Sequence, residues 1–229
     1  MAVIELKEQN VEYSVREAYK ALRTNLRFCG MDKKVIAVTS CTPNEGKSTI
    51  SLNLGLSLAE SGLKVLLIDA DLRKSAMIGN FRLKEKIKGI THCLSNQATL
   101  QEVICSVGRT NLDVIFAGPI PPNPSELLGS ENFKKLIRKF RNEYDYVLID
   151  TPPLGSVIDS AVVAEVCDGT IMVIAKDEIS RRYAQNIKIQ LEKAGCPILG
   201  AILNKADFAR RGRYSKYYGK YYGKYYGDY

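Results

Sequence analysis

Apolar residues along this chain fall into two rhythms. Between about 12 and 28, Val15, Tyr19, Leu22 and Leu26 recur three or four residues apart, which predicts an amphipathic helix. Elsewhere they form short unbroken runs: Val35–Ser40, Val65–Asp69, Leu112–Phe116, Tyr146–Asp150, Thr170–Ala175 and Ile198–Leu203. Continuous apolar runs of this length predict strands buried on both faces. Helical stretches are expected between them at Lys47–Glu60, Thr99–Val107, Ser130–Arg141, Ile158–Val166 and Ser180–Ala194. The alternation predicts an α/β fold, a doubly wound and mostly parallel sheet with helices on both faces. Ligands of such sheets bind at the carboxyl ends of the strands. Asp69 and Asp150 each close a strand, so both carboxylates are expected at one crevice, beside the stiff loop Gly118–Pro124.

The pattern ends near 207. Residues 208–229 carry a tandem Tyr-Tyr-Gly-Lys beat whose period of four fits neither a strand nor a helix. Eight of the chain's 13 tyrosines lie there: Tyr214, Tyr217, Tyr218, Tyr221, Tyr222, Tyr225, Tyr226 and Tyr229. With glycines at 219, 223 and 227 raising the cost of order, a disordered tail is expected. The chain is therefore divided into one domain, 1–207, and a flexible tail, 208–229.

Composition and charge narrow the function. The net charge is +8, and Arg210, Arg211, Arg213, Lys216, Lys220 and Lys224 concentrate it in the tail against Asp228 alone. Such an end suits nucleic acid or an anionic membrane face, but neither reading is specific. The six cysteines are scattered and His92 is the single histidine, which argues for reduced thiols and against a zinc site. No apolar run is long enough to cross a bilayer, and the N-terminus lacks the pattern of a signal peptide, so a cytosolic location is expected.

Three motifs carry the chemistry. After the first of those strands, Thr42, Pro43, Asn44, Glu45, Gly46, Lys47, Ser48 and Thr49 form a loop ending in the Gly-Lys-Ser of a Walker A phosphate site, with Cys41 replacing its first glycine. Backbone N–H groups and a helix N-terminus would gather phosphate oxygens, Lys47 would reach the β- and γ-phosphates, and Ser48 would ligate Mg²⁺. Asp150, ending Tyr-Val-Leu-Ile, is a Walker B carboxylate aimed at the metal. Asp69 and Asp71, in Asp-Ala-Asp-Leu-Arg73, place two acids near one Mg²⁺–ATP. One can hold the metal while the other accepts the proton of an incoming hydroxyl. The alternative for this segment is a capped turn with Arg73 in an ion pair.

Together and in this order, these motifs resemble the bacterial tyrosine kinases that regulate capsular and exopolysaccharide export, a group similar to the MinD/ParA ATPases. Pro121–Leu128 is similar to a segment that often precedes Walker B in that family. The resemblance implies an ATP- and Mg²⁺-dependent protein-tyrosine kinase with Lys47, Asp69 and Asp71 as catalytic residues. It implies Ser48, Asp71 and Asp150 at the metal, Asn204 near the adenine, and the eight tail tyrosines as acceptors. Glu17, Lys20 and Arg23 resemble the Glu-x-x-Arg-x-x-Arg stripe through which members form rings, with lysine in place of one arginine. A membrane-spanning activator, which would hold the kinase at the inner face of the plasma membrane, and a cognate tyrosine phosphatase are the implied partners. No role is carried onto Lys74 and Ser75, where members often continue with Arg-Pro.

Three other functions share parts of this pattern. A MinD/ParA-like switch would carry a further lysine near the start of the loop, where this chain has Thr42. A GTPase is suggested by Asn204–Asp207, a formal match to Asn-Lys-x-Asp. A nucleic-acid module would rest on the tail alone, and no nucleic-acid partner is expected.

Overall fold

The computed structural model describes residues 2–7, 11–83 and 85–206. The tail tyrosines and Asp207 lie outside the described residues. A nine-stranded sheet runs through the domain. In chain order its strands are β1 (Ala2–Leu6), β2 (Val35–Ser40), β3 (Val65–Asp69), β4 (Phe81–Arg82) and β5 (Ile104–Val107), followed by β6 (Leu112–Ile115), β7 (Tyr146–Asp150), β8 (Gly169–Ala175) and β9 (Ile198–Asn204). Their spatial order is β4-β1-β5-β6-β3-β7-β2-β8-β9. The central strands are parallel, whereas β5 runs antiparallel to β6 and β4 antiparallel to β1.

The eight helices among the described residues are α1 (Tyr13–Phe28), α2 (Lys47–Glu60), α3 (Ile90–Leu94), α4 (Leu100–Val103), α5 (Pro124–Gly129), α6 (Glu131–Glu143), α7 (Asp159–Ala164) and α8 (Arg181–Lys193). The period of two in the strands divides their side chains between two cores. Val35, Ala37, Leu66, Ile68, Val147 and Ile149 pack with Phe133, Ile137 and Phe140 of α6 and Val163 of α7. Their alternates Ile36, Val65, Leu67 and Leu148 pack with Leu52, Leu54 and Leu58 of α2 and Leu26 of α1. Both faces are thus covered, which is why these strands are continuously apolar.

Several expectations are corrected. The helix expected over Thr99–Val107 lasts one turn. Thr99 and Glu102 form a capping box that starts it, with Thr99 N–H donating to the Glu102 carboxylate at 2.8 Å. Ile104 then turns extended, and Ile104–Val107 pairs with β6 and with β1. The β-branched residues there obey the sheet and not the local helical signal. The N-terminal Ala2–Leu6 is also a strand, with Ile4 as its buried anchor. Gly118–Pro124 is not loop throughout, since Pro124 occupies the first turn of α5.

Candidate active site

β3 and β7 are adjacent and in register, so that Asp69 lies directly opposite Asp150 at their carboxyl ends. The phosphate-type loop leaves β2, on the other side of β7. The two expected carboxylates therefore reach one crevice with the loop beside them.

The loop is braced from within. Glu45 is fully buried, and its carboxylate accepts from Thr42 N–H at 2.7 Å and from Ala175 N–H, at the end of β8, at 3.1 Å. The Asn204 amide donates to the Glu45 carbonyl at 2.8 Å. Gly46 has φ +91°, and a β-carbon there would lie 2.2 Å from Asn204 Nδ2, so only glycine fits. Glu45 and Asn204, expected at the nucleotide, thus turn their side-chain bonds to backbone groups, Asn204 to the loop itself and Glu45 to the loop and the end of β8. Cys41 is buried, and burial pushes its thiol up to about 12, which makes it a packing residue. Pro43, Asn44 and Thr49 are exposed, while Thr42 and Ser48 are half-buried.

Gly46 is the N-cap of α2 and, among the described residues, no side-chain bond caps this turn, which leaves its first N–H groups available to an anion. Lys47 begins that turn. Its ammonium lies 3.2 Å from Asp71 Oδ2 and 3.7 Å from Asp150 Oδ2, and donates to Ser48 Oγ at 3.3 Å. Burial opposes its charge, but Asp150 and Asp71 outweigh this and hold the Lys47 pKa above the usual lysine value.

The acids differ in their surroundings. Asp150 is 1% exposed; Ser51 donates to its Oδ1 at 3.2 Å, and its buried Oδ2 has no hydrogen-bond partner among the described residues. Burial raises its pKa, and the Lys47 charge only partly offsets this. Asp71 receives Lys47 on Oδ2 and the Lys74 N–H on Oδ1, the latter at 3.0 Å. Asp69 is 0% exposed; its Oδ1 accepts from Asp71 N–H at 3.2 Å and its Oδ2 from the Ser75 hydroxyl. Burial, reinforced by the Asp150 charge, pushes Asp69 up to about 7.

Among the described residues no group of three or more His, Cys, Asp or Glu side chains forms a self-sufficient metal site. Mg²⁺ takes one or two carboxylates and completes its shell with phosphates and water. The orphaned Asp150 Oδ2, with Ser48 Oγ and Asp71 nearby, is the donor set such an ion would use.

Arg73 finds a partner that sequence alone did not supply. Its Nε and Nη2 donate to the two oxygens of Asp159 at 2.8 and 3.1 Å, and Ser125 adds a third bond at 2.6 Å. Asp159 is fully buried at the start of α7. Burial alone would raise its pKa, but Arg73 and Ser125 hold it below the usual carboxylate range. The segment Pro121–Leu128 thus contributes Ser125 to a clamp on the loop that follows Asp71. On α1, Lys20 pairs with Glu17 at 2.7 Å on an exposed face, while Arg23 reaches back to the Ser57 carbonyl of α2 at 2.7 Å.

Fold and site together define a P-loop nucleotide-binding domain of the MinD-like type. A family described as an AAA domain matches residues 33–192. The tyrosine-protein kinase CpsD of Streptococcus agalactiae is 45% identical over 203 residues, covering 88% of this chain and 89% of its own. The tyrosine-protein kinase YwqD of Bacillus subtilis is 38% identical, covering 88% and 85% respectively. Among solved structures, the chimerical protein CapA2B2 superposes with TM-score 0.81 at 30% identity, over 90% of this chain and 94% of that one. The kinase domain of the Escherichia coli tyrosine kinase ETK gives 0.79 at 34% identity, over 86% and 80%. MinD of Pyrococcus horikoshii, complexed with Mg-ADP, gives 0.64 at 25%, over 79% and 72%. The chain belongs to the family of bacterial tyrosine-protein kinases.

Proposed function

We propose that this chain transfers the γ-phosphoryl group of ATP to tyrosines of its own 208–229 segment, in trans between copies, and so regulates capsular or exopolysaccharide synthesis and export. The observation that carries the reading is the grouping of Lys47 with Asp71 and Asp150 at the uncapped start of α2, with Asp69 in register beside them.

Bound Mg²⁺–ATP supplies the transferable phosphoryl group and concentrates positive charge on it. Lys47 and the first N–H groups of α2 hold the phosphates. Ser48 and Asp150, with Asp71, would hold the metal. Lys47, paired with Asp71 in this structure, would turn from that carboxylate to the phosphates. Asp69, which faces a hydroxyl in this structure, orients the acceptor hydroxyl and takes its proton. A carboxylate with its pKa near the working pH suits that task.

The α1 stripe of Glu17 and Lys20 supports assembly into a ring, with Arg23 fixing α1 to α2. A ring would place one copy's tail at its neighbour's crevice and raise the local acceptor concentration. A membrane-spanning activator at the inner face of the plasma membrane and a phosphatase that resets the tail complete the proposal. Among the described residues no helix is long and apolar enough to cross a membrane.

Mixing two full-length variants tests transfer in trans. One carries Lys47→Ala and an intact tail; the other keeps Lys47 but has its eight tail tyrosines replaced by phenylalanine. Phosphotyrosine should appear on the Lys47→Ala chain. Its absence there, with tail phosphorylation in the unmixed wild type, would confine transfer to a single chain.

A further inference from the structure

Asp69 is fully buried, yet the residue bonded to its Oδ2 is exposed. That residue is Ser75, on the loop leaving the two acids. Three contacts fix the loop's course. Lys74 N–H donates to Asp71 Oδ1 at 3.0 Å, Arg73 is held by Asp159, and Met77 is buried at the head of a 3₁₀ turn. Between these anchors Ser75 presents its hydroxyl inward, donating to Asp69. A hydroxyl donating to a buried carboxylate is the arrangement a general base makes with its acceptor before proton transfer. Asp69 Oδ1 already accepts from the Asp71 backbone, so Oδ2 is the oxygen left for an incoming group.

We infer that Ser75 occupies the acceptor position: its side-chain hydroxyl stands where a tyrosyl hydroxyl must bind, and the tyrosine enters by displacing it. The inference rests on the kinase reading and gives it a built-in competitor. An entering tyrosine exchanges one hydroxyl for another at Asp69, so its net gain there is small. Only a residue that also brings ring contacts and neighbouring chain can win the exchange. Water, with a hydroxyl and nothing more, is poorly placed to do so. Ser75 thereby restrains both premature acceptor entry and attack by water.

The test uses the full-length protein and measures binding separately from chemistry. A fluorescent peptide of residues 213–229 is titrated, by anisotropy in Mg-ADP, into wild type, Ser75→Ala and Ser75→Thr, all with intact tails. Removing the hydroxyl should tighten peptide binding about fivefold or more, since a charge-assisted bond falls vacant. Ser75→Thr keeps a hydroxyl and should match wild type. The same peptide with phenylalanine at every tyrosine should gain nothing from Ser75→Ala, because it has no hydroxyl to offer Asp69. Ser75→Gly is a second hydroxyl-free variant with the same expectation, should the alanine protein fold poorly.

Equal peptide affinities in wild type and Ser75→Ala would overturn the inference, as would equal gains for the tyrosine and phenylalanine peptides. The kinase reading stands or falls separately: incubated with Mg-ATP, the wild type should phosphorylate the tyrosine peptide. Phosphorylation without a Ser75 effect removes only the inference. Failure of the wild type to bind or phosphorylate the peptide removes both.

Discussion

Lys47→Ala should lower phosphoryl transfer about 10²–10³-fold, the range typical of removing one preorganised charge from a developing transition state. Lys47 stands among Asp71, Asp150 and Ser48, and its side chain is only 12% exposed. Without ligand its partners are carboxylates; with ligand they would be phosphates. The substitution removes the cation that makes that exchange and leaves the acids to repel the incoming anion. Nucleotide affinity should therefore fall along with the transfer rate, while circular dichroism stays that of the wild type. A loss smaller than tenfold would mean that Lys47 does not hold the transferring phosphate.

The second large effect is expected away from the transferred group. Arg73→Met keeps the apolar stem but takes the fork from Asp159, leaving a fully buried carboxylate without its counter-charge and with Ser125 as its side-chain donor. Breaking a wholly buried pair costs roughly 3–5 kcal/mol. The Arg73 side chain is 40% exposed, so solvent screening reduces that to about 2 kcal/mol. Urea unfolding at pH 7 checks the figure. The sign with pH follows from the direction of the Asp159 shift. A carboxylate held below its unfolded pKa stabilises the fold above that value, and this contribution fades as pH falls through the folded pKa. The gap between wild type and Arg73→Met should be full at pH 7 and narrow below about pH 4. A gap that widens in acid would contradict the clamp.

What the sequence made legible was local. Gly46-Lys47-Ser48 and the strand-end acids Asp69 and Asp150 are legible because each position follows from neighbours in sequence and from the rule for parallel sheets. The register that sets Asp69 opposite Asp150 follows from adjacency of β3 and β7, which the apolar runs suggest but do not order. Asp159 was hidden because its partner is 86 residues away and a lone Asp at a helix start looks like a cap. Ser75 was hidden because its hydroxyl is aimed by the loop's course and not by a motif. The Glu45 carboxylate faces the end of β8, a contact 130 residues distant. In the stretch Thr99–Val107 the expected helix lasts only one turn, because sheet pairing overrides the local helical signal from Ile104 onward.

Conversely, the Arg73 ion pair, the plain structural alternative for this segment, exists alongside the grouped acids and not instead of them. That coexistence gives the segment two duties. In the proposed reaction Asp69 and Asp71 face the chemistry, and Arg73 secures the loop that follows them.

The central claim is that this domain is the enzyme for the tail that follows it. Full-length protein incubated with Mg-ATP and the cytoplasmic segment of the proposed membrane-spanning activator, then digested and analysed by mass spectrometry, tests that most directly. The account predicts phosphate on tyrosines among Tyr214, Tyr217, Tyr218, Tyr221, Tyr222, Tyr225, Tyr226 and Tyr229, and none when Lys47→Ala is used alone. An unmodified tail in protein that demonstrably binds ATP, with the activator segment present, would contradict it.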